Sequence, residues 1–348
     1  MVSPLTGSNG FTEAPIFNVN DGDLLARAKQ IFSFQYQNNE VYRAFCDQYR
    51  GAHQIKTLLN ASDEPHADRW GPWIARVPFL PISFFKTHRV VSYRGEAEKI
   101  FTSSGTTGLQ NSRHYVKSLK WYEAGFVKGF THFYGDPAQY AFICLLPSYL
   151  EREGSSLIYM AQRLIALSRS EDSGFYLKAG DQMADLLAKL DRSGKKTILL
   201  GVSFALLDFA ENNPIGLSDT FVMETGGMKG RREEITRMEL HDELKRAFGL
   251  SAIHSEYGMT ELMSQAYSPG GGRFRCPPWM RVLVRDEDDP ALVHLTGTGL
   301  LCIIDLANVW SCAFLETQDL GRVHPDGSFE VLGRLDHSDI RGCSLLSV

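Results

Sequence analysis

The sequence predicts an α/β protein: a multi-lobed large domain with mostly parallel sheets covered by helices, and a smaller antiparallel β unit near the C-terminus. Two patterns predict it. Between about residues 140 and 255, short apolar runs alternate with stretches of helical spacing, the βαβ rhythm of a sheet buried on both faces. From about Met280 the character changes to short strand-like segments between Gly and Asp-Gly turns, as in Pro325-Asp326-Gly327-Ser328, which is antiparallel hairpin chemistry. With 348 residues, 43% of them hydrophobic and 22% charged, the chain can bury a sizeable core.

In chain order, the first twenty residues are turn-rich and read as an arm. A helical start covers about residues 21–60. Leu24, Leu25, Ala28, Ile31, Phe32 and Phe34 recur at helical spacing over Asp21–Gln37, with Asp21 or Asp23 as N-cap, and a second helix runs from Glu40 to Leu59. Pro78–Phe85, interrupted by Pro81, leads irregularly into strands at Val90–Tyr93 and Lys99–Thr102. A helix follows over Val116–Phe133. Strands are then predicted at Tyr140–Leu146, Thr197–Val202, Thr220–Met223 and Ala252–Ser255, alternating with helices at Ser155–Leu167, Met183–Leu190, Phe204–Glu211 and Arg231–Phe248. The antiparallel unit is predicted as strands Arg281–Val284, Gly299–Ile304, Ser311–Leu315, Gly321–His324 and Phe329–Leu332. No repeat or linker divides the chain, so residues 1–332 read as one large domain and 333–348 as a short tail.

A formal net charge of −5 argues against a general nucleic-acid or anionic-membrane binder. No apolar run approaches the ~20 residues of a membrane span, and the N-terminus lacks the basic start and apolar core of a secretory signal. Cys46, Cys144, Cys276, Cys302, Cys312 and Cys343 are scattered without C-x-x-C pairs. That spacing speaks against a disulfide framework, and against a zinc site built from Cys276, Cys302, Cys312 and His294; a cytoplasmic location is expected.

Chemistry concentrates first in Phe101-Thr102-Ser103-Ser104-Gly105-Thr106-Thr107-Gly108. Glycines let backbone approach a ligand closely, while successive N–H groups and the Ser and Thr hydroxyls can surround an anion. No Gly-Lys-Ser/Thr closes the segment, so it is not a Walker loop. Arg113 and His114 follow as a basic pair. Four further segments come in order. Glu224-Thr225-Gly226-Gly227-Met228-Lys229-Gly230 opens backbone between a strand and a helix, suited to a flat base or an anion, and reads equally as a plain turn. In His254-Ser255-Glu256-Tyr257-Gly258-Met259-Thr260-Glu261 a hydroxyl stands beside a carboxylate able to hold Mg²⁺, or the segment is an ordinary helix start. Asp319, in Thr317-Gln318-Asp319-Leu320-Gly321, could accept from ribose hydroxyls or be a turn residue. Gly333-Arg334-Leu335-Asp336-His337-Ser338-Asp339-Ile340-Arg341-Gly342 is a charged turn after the last β segment.

Together with Leu146-Pro147-Ser148-Tyr149-Leu150-Glu151-Arg152 and Asp339-Ile340-Arg341-Gly342-Cys343, these segments resemble the ordered core motifs of the adenylate-forming (acyl-CoA synthetase and luciferase-like) superfamily. Within it the chain looks most like the acyl-protein synthetases of bacterial luminescence, related in turn to phenylacetate-CoA ligase-like enzymes. The resemblance covers about residues 78 to 346. It implies a two-step reaction: a carboxylic acid, of the fatty-acid class, is activated by ATP to acyl-AMP, and a thiol then takes the acyl group. It also implies ATP and Mg²⁺ as cofactors, an acid substrate, and a partner protein as candidate acyl acceptor, without nucleic acid or a membrane span. Carried onto this chain, Ser103, Ser104, Gly105, Thr106, Thr107 and Gly108 would hold the triphosphate, with Arg113 as a nearby cation. Gly226 and Gly227 would flank adenine, Tyr257 would stack on it, Gly258 would line the nucleotide, Thr260 would touch the α-phosphate, Glu261 would hold Mg²⁺, and Asp319 with Arg334 would grip the ribose.

Two departures stand out. Many superfamily members have Pro-Lys-Gly after the hydroxyl loop, where this chain reads Leu109-Gln110-Asn111-Ser112-Arg113. Larger members continue into a mobile lid bearing a catalytic lysine, and the resemblance implies that this lid is absent, leaving Lys86 and Lys229 as candidate cations for adenylation. Cys343 lies five residues from the C-terminus, beside Arg341, a charge that favours the thiolate. The resemblance makes it the covalent acyl acceptor; as a small residue it also suits tail packing. Two rivals remain: direct transfer of acyl-AMP to coenzyme A or a carrier protein, and a non-catalytic nucleotide-binding partner protein. Phe204, Phe221, Met223, Met259, Met263 and Trp279 are candidates either for an acyl pocket or for core.

Overall fold

A computed structural model of the chain describes residues 6–7, 10–60, 70–103, 110–146, 154–176, 180–226, 235–286, 289 and 291–335. Its internal contacts divide it into two compact units, one of Met1–Glu98, Ser112–Ser118 and Pro278–Val348, the other of Lys99–Asn111 and Leu119–Pro277.

The second unit carries the βαβ rhythm. Its six-stranded sheet runs, edge to edge, Ala266–Ser268, His254–Tyr257, Thr220–Thr225, Thr197–Val202, Ala141–Leu145, Gly174–Phe175. All pairs are parallel except the first, which is antiparallel. Thr197–Val202 and Ala141–Leu145 are buried along their whole length, as strands covered on both faces must be. Helices at Leu119–Tyr134, Ser156–Ser168, Asp181–Arg192, Ser203–Asn212 and Arg237–Phe248 belong to the same unit. Arg237–Phe248 starts at a capping box: Glu239 N–H donates to Thr236 Oγ1, and the Glu239 carboxylate accepts from Thr236 N–H. That box sets the start at Arg237, later than the predicted Arg231; residues 231–234 are outside the described residues.

The first unit holds the antiparallel sheet, ordered Val293–His294, Met280–Arg285, Gly297–Asp305, Phe314–Val323, Phe329–Arg334, with Leu80–Pro81 pairing parallel to Leu315–Glu316. Phe32, Tyr42, Trp73 and Phe79 surround the Phe314 ring at 5.8 to 6.2 Å. Gln35 fixes the first long helix to this sheet: its amide nitrogen donates to the Asn308 and Val309 carbonyls, and its oxygen accepts from Ala313 N–H.

Several expected elements change. The first long helix is Asp21–Asn38, capped by Asn20, whose side-chain oxygen accepts from Asp23 N–H. The expected Glu40–Leu59 helix is two, Glu40–Arg50 and Ala52–Leu59, broken at Gly51. Val90–Tyr93 forms no strand. Its polar groups go elsewhere: Ser92 N–H donates to Trp310 O, Ser92 Oγ to Ser311 O, and Ser311 Oγ back to Val90 O. Ser311–Leu315 and Gly321–His324 give way to one ten-residue strand, Phe314–Val323, with a register shift at Leu320/Gly321. Among the described residues no helix is long and apolar enough to cross a membrane.

Candidate active site

In the second unit two of the sequence motifs fall at the carboxyl ends of neighbouring parallel strands, where open α/β sheets place their ligand crevices. The Thr220–Thr225 strand ends in Gly226, and the His254–Tyr257 strand runs directly into Gly258-Met259-Thr260-Glu261. These two strands are neighbours, with Glu256 opposite Thr225 and Ser255 opposite Glu224. Ser103 follows the Lys99–Thr102 strand in the same unit, where Thr102 N–H donates to Gly154 O at 2.8 Å.

The Gly226 turn is held from below. Gly226 has φ +71°, the left-handed region that a glycine enters without a Cβ penalty. Its carbonyl accepts from Ser203 Oγ at 3.1 Å, the first residue after the adjoining Thr197–Val202 strand. Glu224, two residues earlier and 2% exposed, accepts from Arg237 Nε at 3.0 Å, with His241 Nε2 at 3.5 Å. Burial alone would raise the Glu224 pKa. The His241 hydrogen bond, the Arg237 charge and the Ser255 hydroxyl outweigh it and hold the carboxyl below its ordinary value. The Arg237 guanidinium also lies over the Phe274 ring, 5.1 Å from its centroid, and the Tyr257 ring lies 5.8 Å from the Phe274 ring.

Strand alternation divides these groups between the two sheet faces. Ser255 approaches His241 on one face at 3.3 Å; His254 and Glu256 point to the other, where Tyr134 Oη lies 3.1 Å from His254 Nδ1. Glu256 is buried. Its Oε2 accepts from Thr225 Oγ1, and its pKa is pushed up to about 7, by burial first and the Glu224 charge besides, against the pull of the Thr225 hydrogen bond. Burial also lowers His254 to about 4, which keeps its ring neutral at pH 7.

Gly258 is a close-approach position: a Cβ there would stand 2.5 Å from Glu256 Oε1 and 3.3 Å from Gln265 Cγ. Thr260 and Glu261 lie in the turn that follows, with the Glu261 side chain 5% exposed. A single oxygen-donor carboxylate at such a turn fits Mg²⁺ brought in on a triphosphate, since that ion takes one or two carboxylates plus phosphate oxygens. Among the described residues no group of three or more His, Cys, Asp or Glu side chains could hold a metal by itself.

In the first unit Asp319 and Arg334 are ladder partners across an antiparallel pair, with Arg334 Nε 4.0 Å from Asp319 Oδ1. Thr317 Oγ1 accepts from Asp319 N–H and donates to Leu301 O, which fixes the backbone at Asp319. Arg113 begins the Arg113–Val116 strand in this unit and is exposed; its neighbour His114 is buried edge-on against Phe85. Lys86 is half-buried on the Phe84–Thr87 helix.

No family model matches the chain. It is similar to the long-chain-fatty-acid–luciferin-component ligase of Aliivibrio fischeri, 24% identical over 341 residues that cover 91% of this chain and 85% of that protein. The ligase of the same name from Vibrio harveyi is 24% identical over 346 residues, with the same two coverages. Among solved structures it is similar to ATP-bound MatB from Rhodopseudomonas palustris, with a TM-score of 0.52 at 18% identity over 69% of this chain and 49% of that one. O-succinylbenzoate coenzyme A synthetase from Bacillus subtilis, in complex with AMP, gives 0.50 at 18% identity over 71% and 51%. The chain spans about half the length of these solved structures. The fold is that of the adenylate-forming enzymes.

Ser103, Gly226, Tyr257, Gly258, Thr260 and Glu261 thus belong to one unit, and Asp319 and Arg334 form a pair in the other. Ser104, Gly105, Thr106, Thr107, Gly108, Gly227, Lys229 and Cys343 lie outside the described residues. Of the apolar candidates, Phe204, Met223, Met263 and Trp279 are buried core. Sequence reasoning passed over Ser203 and Arg237 and gave no supporting role to Glu224, Thr225 and Glu256, although these three lie within its motifs. The available signal was two glutamates, Glu224 and Glu256, at the ends of strands that otherwise read as buried.

Proposed function

We propose that this protein is an ATP-dependent, acyl-adenylate-forming ligase for a carboxylic acid of the fatty-acid class. One observation carries the reading: the Gly226 turn and the Gly258–Glu261 turn end neighbouring parallel strands, in a fold shared with ATP-bound and AMP-bound structures. The names of the two curated relatives, both long-chain-fatty-acid ligases, supply the substrate class.

In the first step a carboxylate oxygen of the acid attacks the α-phosphorus of ATP. The bond from that phosphorus to the bridging oxygen breaks, and pyrophosphate leaves. Thr260 contacts the α-phosphate, Ser103 to Gly108 surround the β- and γ-phosphates, Gly226 and Gly227 border the base beside Tyr257, and Asp319 with Arg334 takes the ribose hydroxyls. Glu261 would hold Mg²⁺, which would offset phosphate charge. In the second step a thiolate attacks the acyl carbon and AMP leaves. Cys343 is the proposed thiol, and an acyl-accepting protein takes the group from it.

Separation of the two half-reactions by mutation tests the scheme. Cys343→Ser should retain acid-dependent pyrophosphate exchange, because no step up to acyl-AMP uses the thiol. It should lose a hydroxylamine-labile acyl adduct, since an unactivated hydroxyl is a far weaker nucleophile than a thiolate. Intact-mass spectrometry of wild type with ATP, Mg²⁺ and acid should show one acyl increment on the C-terminal peptide. Accumulation of acyl-AMP without an adduct would reject Cys343 as acceptor and make an external thiol the acceptor.

A further inference from the structure

We propose that Glu256 is a positioning residue of the adenylation site, its buried carboxyl group tying the Gly226 turn to the Gly258–Glu261 turn. The inference rests on the adenylation reading but concerns a residue to which that reading gives no role.

The geometry carries it. Glu256 is the last residue but one of its strand, and across the ladder it faces Thr225, the last residue of the neighbouring strand. One carboxyl oxygen accepts from the Thr225 hydroxyl, immediately before Gly226. The other oxygen fills the space that a side chain at position 258 would occupy, 2.5 Å from where its Cβ would stand. One side chain therefore touches the base of both turns. A buried carboxyl is costly unless it is hydrogen-bonded, and an apolar residue at this buried position would avoid that cost. A hydrogen bond to the ionised form is stronger than one to the neutral form, so the tie tightens as the carboxyl loses its proton.

The titratable groups around Glu256 come from every neighbouring element. Tyr122 and Tyr134 belong to the Leu119–Tyr134 helix and Tyr267 to the antiparallel edge strand; burial first, and the Glu256 charge besides, raises the pKa of all three. Glu224 acts on it from the adjacent strand and His254, neutral at pH 7, precedes it on its own. With the three phenols protonated and His254 neutral across pH 6–8, Glu256 is the member of this set that changes charge in that range.

The test uses the full chain and two readouts, acid-dependent ATP–pyrophosphate exchange and calorimetric ATP affinity, with folding checked by thermal melting. Thr225→Val and Glu256→Ala should each lower kcat/KM for ATP about tenfold, and the double variant should be no worse than the poorer single. Thr225→Ser, which keeps the donor, should recover to within threefold of wild type. Glu256→Gln keeps an acceptor and removes the titrating proton, so the ratio of wild type to this variant should rise several-fold between pH 6 and pH 8. Independent, multiplying losses, a flat ratio, or kcat/KM within twofold of wild type in folded variants would overturn the proposal and leave the adenylation reading intact. If wild type binds ATP but does not exchange, the adenylation reading fails and ATP affinity decides the tie by the same comparisons. A wild type that neither exchanges nor binds ATP overturns both.

Discussion

Arg237 Nε donates to Glu224 Oε1 at 3.0 Å, and the carboxylate it meets is almost wholly shut off from water. Removing Arg237 strips a cation from this buried charge and leaves hydrogen bonds such as those of His241 and Ser255 to hold it. Arg237→Ala should therefore lower the unfolding free energy by about 3 kcal/mol. Glu224 titrates below its ordinary value when folded, so its contribution is present above the ordinary carboxylate range and is lost as pH falls through the lower, folded value. Without Arg237 that folded value rises, and acid unfolding should begin at a higher pH than in wild type. Urea denaturation from pH 3 to pH 7 measures both effects; equal stabilities at pH 7 would remove this pair from the support of the Gly226 turn.

Thr260 and Glu261 are proposed to act on the phosphates and metal, not on the fold. Thr260→Val or Glu261→Gln should cut acid-dependent pyrophosphate exchange by about 10²–10³. Exchange within threefold of wild type in either variant would take this turn out of the reaction.

The Asp319–Arg334 pair makes a prediction about the sugar alone. Wild type should prefer ATP to 2′,3′-dideoxy-ATP by about tenfold, the worth of a hydrogen bond to a charged group, and Asp319→Ala should lose that preference. Arg334 is largely exposed, so Arg334→Ala should weaken ATP binding with little change in melting temperature. An unchanged preference in Asp319→Ala would return this residue to a structural role at the strand edge.

What the sequence made legible follows from how local each signal was. Thr197–Val202 agrees to the residue with its reading, because a continuous apolar run has few other fates in a βαβ rhythm. The Asp326-Gly327 turn is equally local: Ser328 N–H donates to Asp326 Oδ1, and Gly327 N–H donates to His324 O. Asn20 does not stand out as the cap in sequence because Asp21 and Asp23 offer the same chemistry one and three residues later. Val90–Tyr93 has strand-like composition, but its partner groups at Trp310 and Ser311 lie more than two hundred residues away and hydrogen-bond with it outside any ladder. The site divides the same way. Motif residues were visible as ordered short segments, whereas the Glu256–Thr225 and Glu224–Arg237 contacts depend on which strands become neighbours and in what register, which no single segment encodes.

The most direct measurement is ATP–pyrophosphate exchange by the full chain across carboxylic acids from acetate to palmitate, with an acid-free control. Exchange that requires an acid, is fastest with the long-chain fatty acids and falls at least a hundredfold in Glu261→Gln is the predicted result. Exchange absent with every acid, while ATP still binds, would contradict adenylation and leave a nucleotide-binding protein in its place.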